Sequence, residues 1–71
     1  MAQENMYLVR RLEDGSMRTV MARGTTTRHA MRVFVAKYGP PVGETFAVKL
    51  RLGSDWDYYR TTSSGIRQVT P

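Results

Sequence analysis

Residues 24–41, GTTTRHAMRVFVAKYGPP, carry the punctuation of a complete helix. Thr25 or Thr26 can cap its start, because a hydroxyl there accepts a hydrogen bond from a backbone N–H that has no partner within the helix. Gly39 is placed to end it in the left-handed conformation, and Pro40-Pro41 forbid its continuation. Thr27, Ala30, Met31, Phe34, Val35 and Tyr38 recur at i, i+3, i+4 and i+7, which gives one apolar stripe and predicts a helix over 26–38. Arg28, His29 and Arg32 fall on the opposite side.

The segments on either side of the helix alternate instead. In MYLVRRLEDGSMRTVMAR (6–23), two runs flank Asp14-Gly15, the strongest short-range hairpin signal. A two-residue loop places Leu12 opposite Met17, Val9 opposite Val20 and Leu8 opposite Met21. One face then carries Met6, Leu8, Leu12, Met17 and Met21, interrupted by Arg10 and Thr19. The other carries Tyr7, Val9, Val20 and Ala22, with Arg11 opposite Arg18. The first face is larger and more apolar and is expected to be the core. In 44–62, ETFAVKLRLGSDWDYYRTT, Phe46, Val48, Leu50 and Leu52 alternate with Thr45, Ala47, Lys49 and Arg51, which predicts a half-buried strand followed by a second hairpin.

Two registers fit that second turn. A two-residue Gly53-Ser54 loop turns Trp56 and Tyr58 outward, beside Arg51 and Lys49, and leaves Asp55 and Asp57 on the core side. A three-residue loop pairs Trp56 with Leu52 and Tyr58 with Leu50. An unpartnered carboxylate near a core costs several kcal/mol, whereas turn preferences and cross-strand pairs are worth about 1 kcal/mol or less. The three-residue register is therefore favoured, with Trp56 and Tyr58 in the core or at its rim. Residues 63–71 are expected to form a loop, a short strand or a tail. The result is a single small α+β domain over 1–71, in ββαββ order, with an antiparallel-rich sheet and one helix packed on one face.

Seventy-one residues hold one domain at most, near the lower size limit for folding without disulfides or metals. Cysteine is absent, which excludes disulfides and thiolate metal sites and favours a cytoplasmic setting. No apolar run is long enough to span a bilayer, so no membrane partner is expected, and Met-Ala-Gln-Glu-Asn lacks the features of a secretion signal. Eleven Lys and Arg face six Asp and Glu, a net charge of +5, and nine of the eleven are arginine. Such a balance favours an anionic partner.

Catalytic chemistry finds little support. His29 has no acid one helical turn away, the Thr and Ser clusters show no base, and GPPVG lacks the pattern of a phosphate loop. Asp55 and Asp57 without further ligands do not make a metal site. Neither an enzyme nor a cofactor is expected.

With the first hairpin face as the core, the uncovered sheet face would present Tyr7, Val9, Arg11, Arg18, Val20, Lys49, Arg51 and Tyr59. Of these, Tyr7, Arg11, Arg18, Lys49, Arg51 and Tyr59 are the candidate partner-binding residues. Arg23, Arg28 and Arg32 make a second basic patch. Arginine mixed with tyrosine suits a protein interface, and an acidic protein surface is the leading expected partner. The same mixture can stack bases and neutralise phosphate, which makes direct nucleic-acid binding the alternative. A homodimer that covers the open sheet is the third.

Residues 22–51, ARGTTTRHAMRVFVAKYGPPVGETFAVKLR, have a strand, a Thr-capped helix, a Pro/Gly turn and a Phe-Val strand in succession. This resembles the layout of small phage-encoded host-takeover proteins, some of which inhibit bacterial RNA polymerase while others block bacterial immunity. The resemblance implies a non-enzymatic regulator or inhibitor that occludes a host macromolecule, and it carries over no individual functional residue. The polymerase inhibitors tend to present acidic surfaces, whereas this chain is basic.

Overall fold

A computed structural model describes residues 3–70. The chain runs β1 (Glu4–Arg11), β2 (Met17–Arg23), α1 (Thr27–Tyr38), β3 (Thr45–Leu50), β4 (Asp57–Thr62) and β5 (Gly65–Val69). The five strands form one antiparallel sheet in the order β2-β1-β3-β4-β5, with α1 on one face. This is the expected α+β domain, extended by β5 from the segment that sequence left as a loop, strand or tail. Pro71 lies outside the described residues, as do Met1 and Ala2 of the N-terminal segment read above.

The helix has the expected caps. Thr26 is the N-cap and accepts from the His29 amide at 3.3 Å, while Gly39 adopts φ 56° and donates its N–H to the Val35 carbonyl at 2.9 Å. Ala30, Met31 and Phe34 are buried, and Val33 and Val35 pack around them. Phe34 meets Phe46 at 5.2 Å between ring centroids.

The face that the helix covers corrects the expectation. Tyr7, Val9, Val20 and Ala22 lie beneath α1 with Phe46, Val48 and Tyr59, whereas Met6, Met17 and Met21 are 37%, 50% and 45% exposed. The Tyr7 face is the core because its polar residues sit at the margins and have partners there. Arg11 meets Glu13 and Asp14 of the hairpin loop and the nearly buried Glu44 just before β3. Arg18 lies over the Tyr38 ring, 4.6 Å from its centroid. Tyr7 donates its hydroxyl hydrogen to the Gly24 carbonyl at 3.0 Å, so its polar end is satisfied inside, and burial raises its pKa. On the opposite face Arg10 occupies the middle of the sheet, between Met17 and Ala47. A helix on that side would bury a guanidinium with no acid to receive it.

Both hairpins have longer loops than expected. Arg10 pairs with Met17, so the first loop encloses 12–15 between Arg11 and Ser16, with Gly15 at φ 71° and Asp14 accepting from the Ser16 amide. The register is displaced by two residues from the expected one, which leaves every side chain on the same face. Arg11 consequently lies beside Phe46 rather than opposite Arg18, which pairs with Val9.

In the second hairpin Val48 pairs with Asp57 and Ala47 with Tyr58, across a loop of 51–56. Side chains therefore face as in the two-residue register, and the favoured assignment is reversed. Trp56 and Tyr58 belong to the face away from the helix, half-buried, and Asp57 faces the helix. The expected carboxylate penalty is offset by a partner from another element. Thr27 Oγ1, at the first residue of α1, donates to Asp57 Oδ2 at 2.6 Å and lies 2.7 Å from the Tyr59 hydroxyl. Thr27 has one hydroxyl hydrogen, so Tyr59 is the donor in the second bond and the three groups form a relay ending on the carboxylate. The helix has no acidic residue in its own first turn, and Asp57 supplies from β4 the negative charge that a helix N-terminus favours.

Thr27→Val leaves Asp57 and Tyr59 without their common partner and is expected to destabilise the fold by about 1–3 kcal/mol in urea unfolding. A loss below about 0.5 kcal/mol would remove this relay as the determinant of the β4 orientation. Glu13 has its pKa raised by the hydrogen-bonding and repulsive proximity of Glu44, beyond what Arg11 offsets. A carboxyl with a raised folded-state pKa opposes folding once it is ionised, so Glu13→Gln is expected to raise the unfolding midpoint at neutral pH. That gain should shrink as pH falls through the raised Glu13 pKa and be gone below the ordinary carboxylate value. A lower midpoint at neutral pH would contradict this.

Candidate functional site

With α1 on one side, no element among the described residues packs on the opposite side of the sheet. Its middle is a row crossing all five strands, Met17–Arg10–Ala47–Tyr58–Val69. Thr19, Leu8 and Lys49 form the next row, and Met21 and Met6 the one beyond. On the other side of the middle row lies Thr45–Arg60–Arg67. Ala47 is almost fully covered, while the larger side chains around it stand partly exposed.

The face is apolar at one end and basic at the other. At the strand ends Met6 and Met21, with Leu50 and the 88% exposed Leu52 from the end of β3 and its loop, border a groove of about 320 Å³ that Glu4, Asn5 and Arg51 also line. Flexible thioethers adapt to differently shaped partners. Toward β4 and β5 the composition becomes aromatic and cationic, with Trp56, Tyr58, Lys49, Arg60 and Arg67. Lys49 Nζ lies 5.2 Å from the Trp56 ring centroid and donates to the Gly53 carbonyl at 3.2 Å, which holds the indole against the sheet.

Most of the carboxylates are engaged by partners of their own. Glu13, Asp14 and Glu44 are gathered on Arg11, and Asp57 is held by Thr27 on the helix side. Of the six acids in the chain, Glu4 lies on the uncovered face at the far end of β1, Glu13 borders its Thr45–Arg60–Arg67 corner while bound to Arg11, and Asp55 lies in the β3–β4 loop. Asp55 and Asp57 do not act as a carboxylate pair, and neither makes an ion pair with Arg51 among the described residues. No group of three or more His, Asp or Glu side chains is placed to hold a metal among the described residues. His29 is exposed on the helix.

The candidate residues named from sequence do not assemble on one surface. Tyr7 and Tyr59 are 1% and 2% exposed beneath the helix. Arg11 is held in the acidic cluster, and Arg18 is on the helix side over Tyr38. Lys49 alone of the six stands within the uncovered face, and Arg51 is exposed in the loop beside the Met6 groove. In the second patch, Arg28 lies over Tyr59 at 5.7 Å and Arg32 borders a concavity with Ser64, Gly65 and Ile66, while Arg23 ends β2 at the other edge of the sheet. Sequence reasoning missed Arg10, Tyr58, Arg60, Arg67 and the methionines. Their signal was the other half of the same alternation.

No helix among the described residues is long and apolar enough to cross a membrane. Comparisons with protein families, with curated proteins and with solved structures return no match to this chain.

The placement of Trp56 can be read by fluorescence. On a cation-rich face an anionic quencher is concentrated and a cationic one is repelled. Iodide is therefore expected to quench Trp56 more efficiently than caesium, with the difference collapsing at high salt. Equal, weak quenching by both would place the indole inside the core.

Proposed function

We propose that the protein is a small, non-enzymatic binding protein of the regulator or inhibitor type, which captures an acidic protein partner through the sheet face opposite the helix. The supporting observation is the distribution of charge: Arg10, Lys49, Arg60 and Arg67 share a face with Tyr58, Trp56 and three exposed methionines, while four of the six acids are bound by Arg11 or Thr27. Aromatic, methionine and arginine side chains are the ones enriched in protein interfaces. The basic end steers an acidic partner, and the apolar end supplies the area that binding strength requires. Occlusion of the partner is the mechanism in keeping with a domain this small. The likeness of residues 22–51 to phage-encoded host-takeover proteins and the lack of cysteine add an intracellular bacterial setting to this proposal.

Nucleic acid is the second reading, favoured by Tyr58 and Arg60 on one side of β4 with Trp56 just before the strand against Lys49. Aromatic rings beside cations can stack bases and neutralise the backbone of a single strand. That reading expects log affinity to fall linearly with log salt, roughly 0.7 per phosphate contact.

Affinity capture from bacterial lysate treated with nuclease, compared between the wild type and an Arg10→Glu/Met17→Asp variant, separates these outcomes. These two positions are cross-strand neighbours, and both are exposed. One acidic protein at fixed stoichiometry, lost from the variant but kept by Arg32→Glu on the helix, is the expected result. Loss equivalent to about 2 kcal/mol or more would mark a hot spot. Equal capture by the wild type and the variant would rule out this face as the interface, and material that disappears with nuclease would favour nucleic acid.

A further inference from the structure

Arg60 and Arg67 are direct cross-strand partners on β4 and β5, and both are exposed. Neither makes an ion pair among the described residues, where all three ion pairs belong to Arg11. Like charges directly opposite each other destabilise a sheet, so this pair is a local cost that no ion pair among the described residues relieves. Thr45 is the partner of Arg60 on the next strand, so a hydroxyl and two guanidiniums stand in one row across three strands. Adjacent strands lie roughly 4.8 Å apart, within reach of these side chains for a common ligand. Thr45, Arg60, Arg67, Gln68 and Thr70 border a shallow concavity of about 750 Å³. Glu13 is the acid at its rim, and it is bound to Arg11 at 2.9 Å.

The geometry points to an oxyanion site at this corner, whose ligand is a phosphate group held by Arg60 and Arg67 with Thr45 as a third donor. A planar carboxylate is filled by one guanidinium fork, whereas a tetrahedral phosphate offers oxygens in more than one plane and serves two forks together. The group can arrive as free phosphate or as a phosphodiester. In the second case Tyr58, two residues before Arg60 on the same face and roughly 6.8 Å away along the strand, is placed to receive the attached base. This inference rests on the proposal that the uncovered sheet is the binding face, and it specifies what one corner of that face accepts.

The test follows the arginine side-chain Nε–H resonances of the full chain during titration with inorganic phosphate and, separately, with a short oligothymidylate. Sodium chloride at matched ionic strength is the reference. Saturable shifts are expected at Arg60 and Arg67 and not at Arg23 or Arg32. An Arg60→Gln/Arg67→Gln variant should bind at least about tenfold more weakly, the equivalent of losing one charge-assisted hydrogen-bond pair. Its unfolding midpoint should be unchanged or higher, because the repulsion is gone. Saturation by inorganic phosphate identifies the free anion as sufficient, and saturation by the oligonucleotide alone, with the Tyr58 ring shifting, identifies the diester. Shifts no larger than those with chloride, or equal binding by the variant, would overturn the site. Protein capture that depends on Arg10 and Met17 would survive that failure, so the two proposals fall separately.

Discussion

The hydroxyl of Thr27 lies between the Asp57 carboxylate and the Tyr59 phenol, and these two contacts tie the first residue of the helix to β4. Because side chains alternate along a strand, placing Asp57 and Tyr59 toward the helix sends Trp56, Tyr58 and Arg60 to the other side. The helix then closes over Tyr7, Val9, Val20, Phe46 and Val48, and burial of each such large apolar side chain contributes roughly 1.5–3 kcal/mol. At the opposite end of the core, Arg11 gathers Glu13, Asp14 and Glu44. One polar knot at each end thus selects the covered face. What remains uncovered is basic and aromatic with a methionine-lined margin, and this composition follows from where the acids are used.

Much of this was legible in the chain. The helix was marked by its threonines, its i, i+3, i+4 stripe and Gly39-Pro40-Pro41, all local signals. Alternation correctly sorted the residues of β1 and β2 into two sets, since a loop longer by two residues changes the register without changing the sets. The choice between the sets was not legible, because it depends on partners distant in sequence. Thr27 meets Asp57 thirty residues on, and Arg11 meets Glu44 thirty-three residues on. A carboxylate judged too costly near the core became acceptable once a hydroxyl and a helix start were brought to it. Counting apolar residues favoured the methionine face for β1 and β2 in spite of Arg10 and Thr19 within it, and it had no local sign that the hydroxyl of Tyr7 would be satisfied inside.

The same reversal relocates the candidate site. Tyrosine and arginine on an open antiparallel sheet remain the basis of the proposed function, but the tyrosine is Tyr58 rather than Tyr7 or Tyr59, and the arginines are Arg10, Arg60 and Arg67. The chain devotes Arg11 and Arg18 to contacts on the helix side, Arg28, Arg32 and Lys37 belong to the helix, and Arg10, Lys49, Arg60 and Arg67 stand on the sheet face opposite it. In a domain near the lower size limit for independent folding, an uncovered face that combines exposed methionines with unneutralised arginines costs stability and solubility. In the proposed function, binding is the gain that offsets such a cost.

Which face the helix covers is the claim on which the proposed surface depends, and the methionine methyl groups report on it directly. Met6, Met17 and Met21 lie on the uncovered side, while Met31 is fully buried between helix and sheet. A soluble paramagnetic agent added to the methyl-labelled protein should broaden the Met6, Met17 and Met21 signals and leave Met31 sharp. Protection of Met6, Met17 and Met21 together with Met31 would put the methionine face in the core and contradict the account.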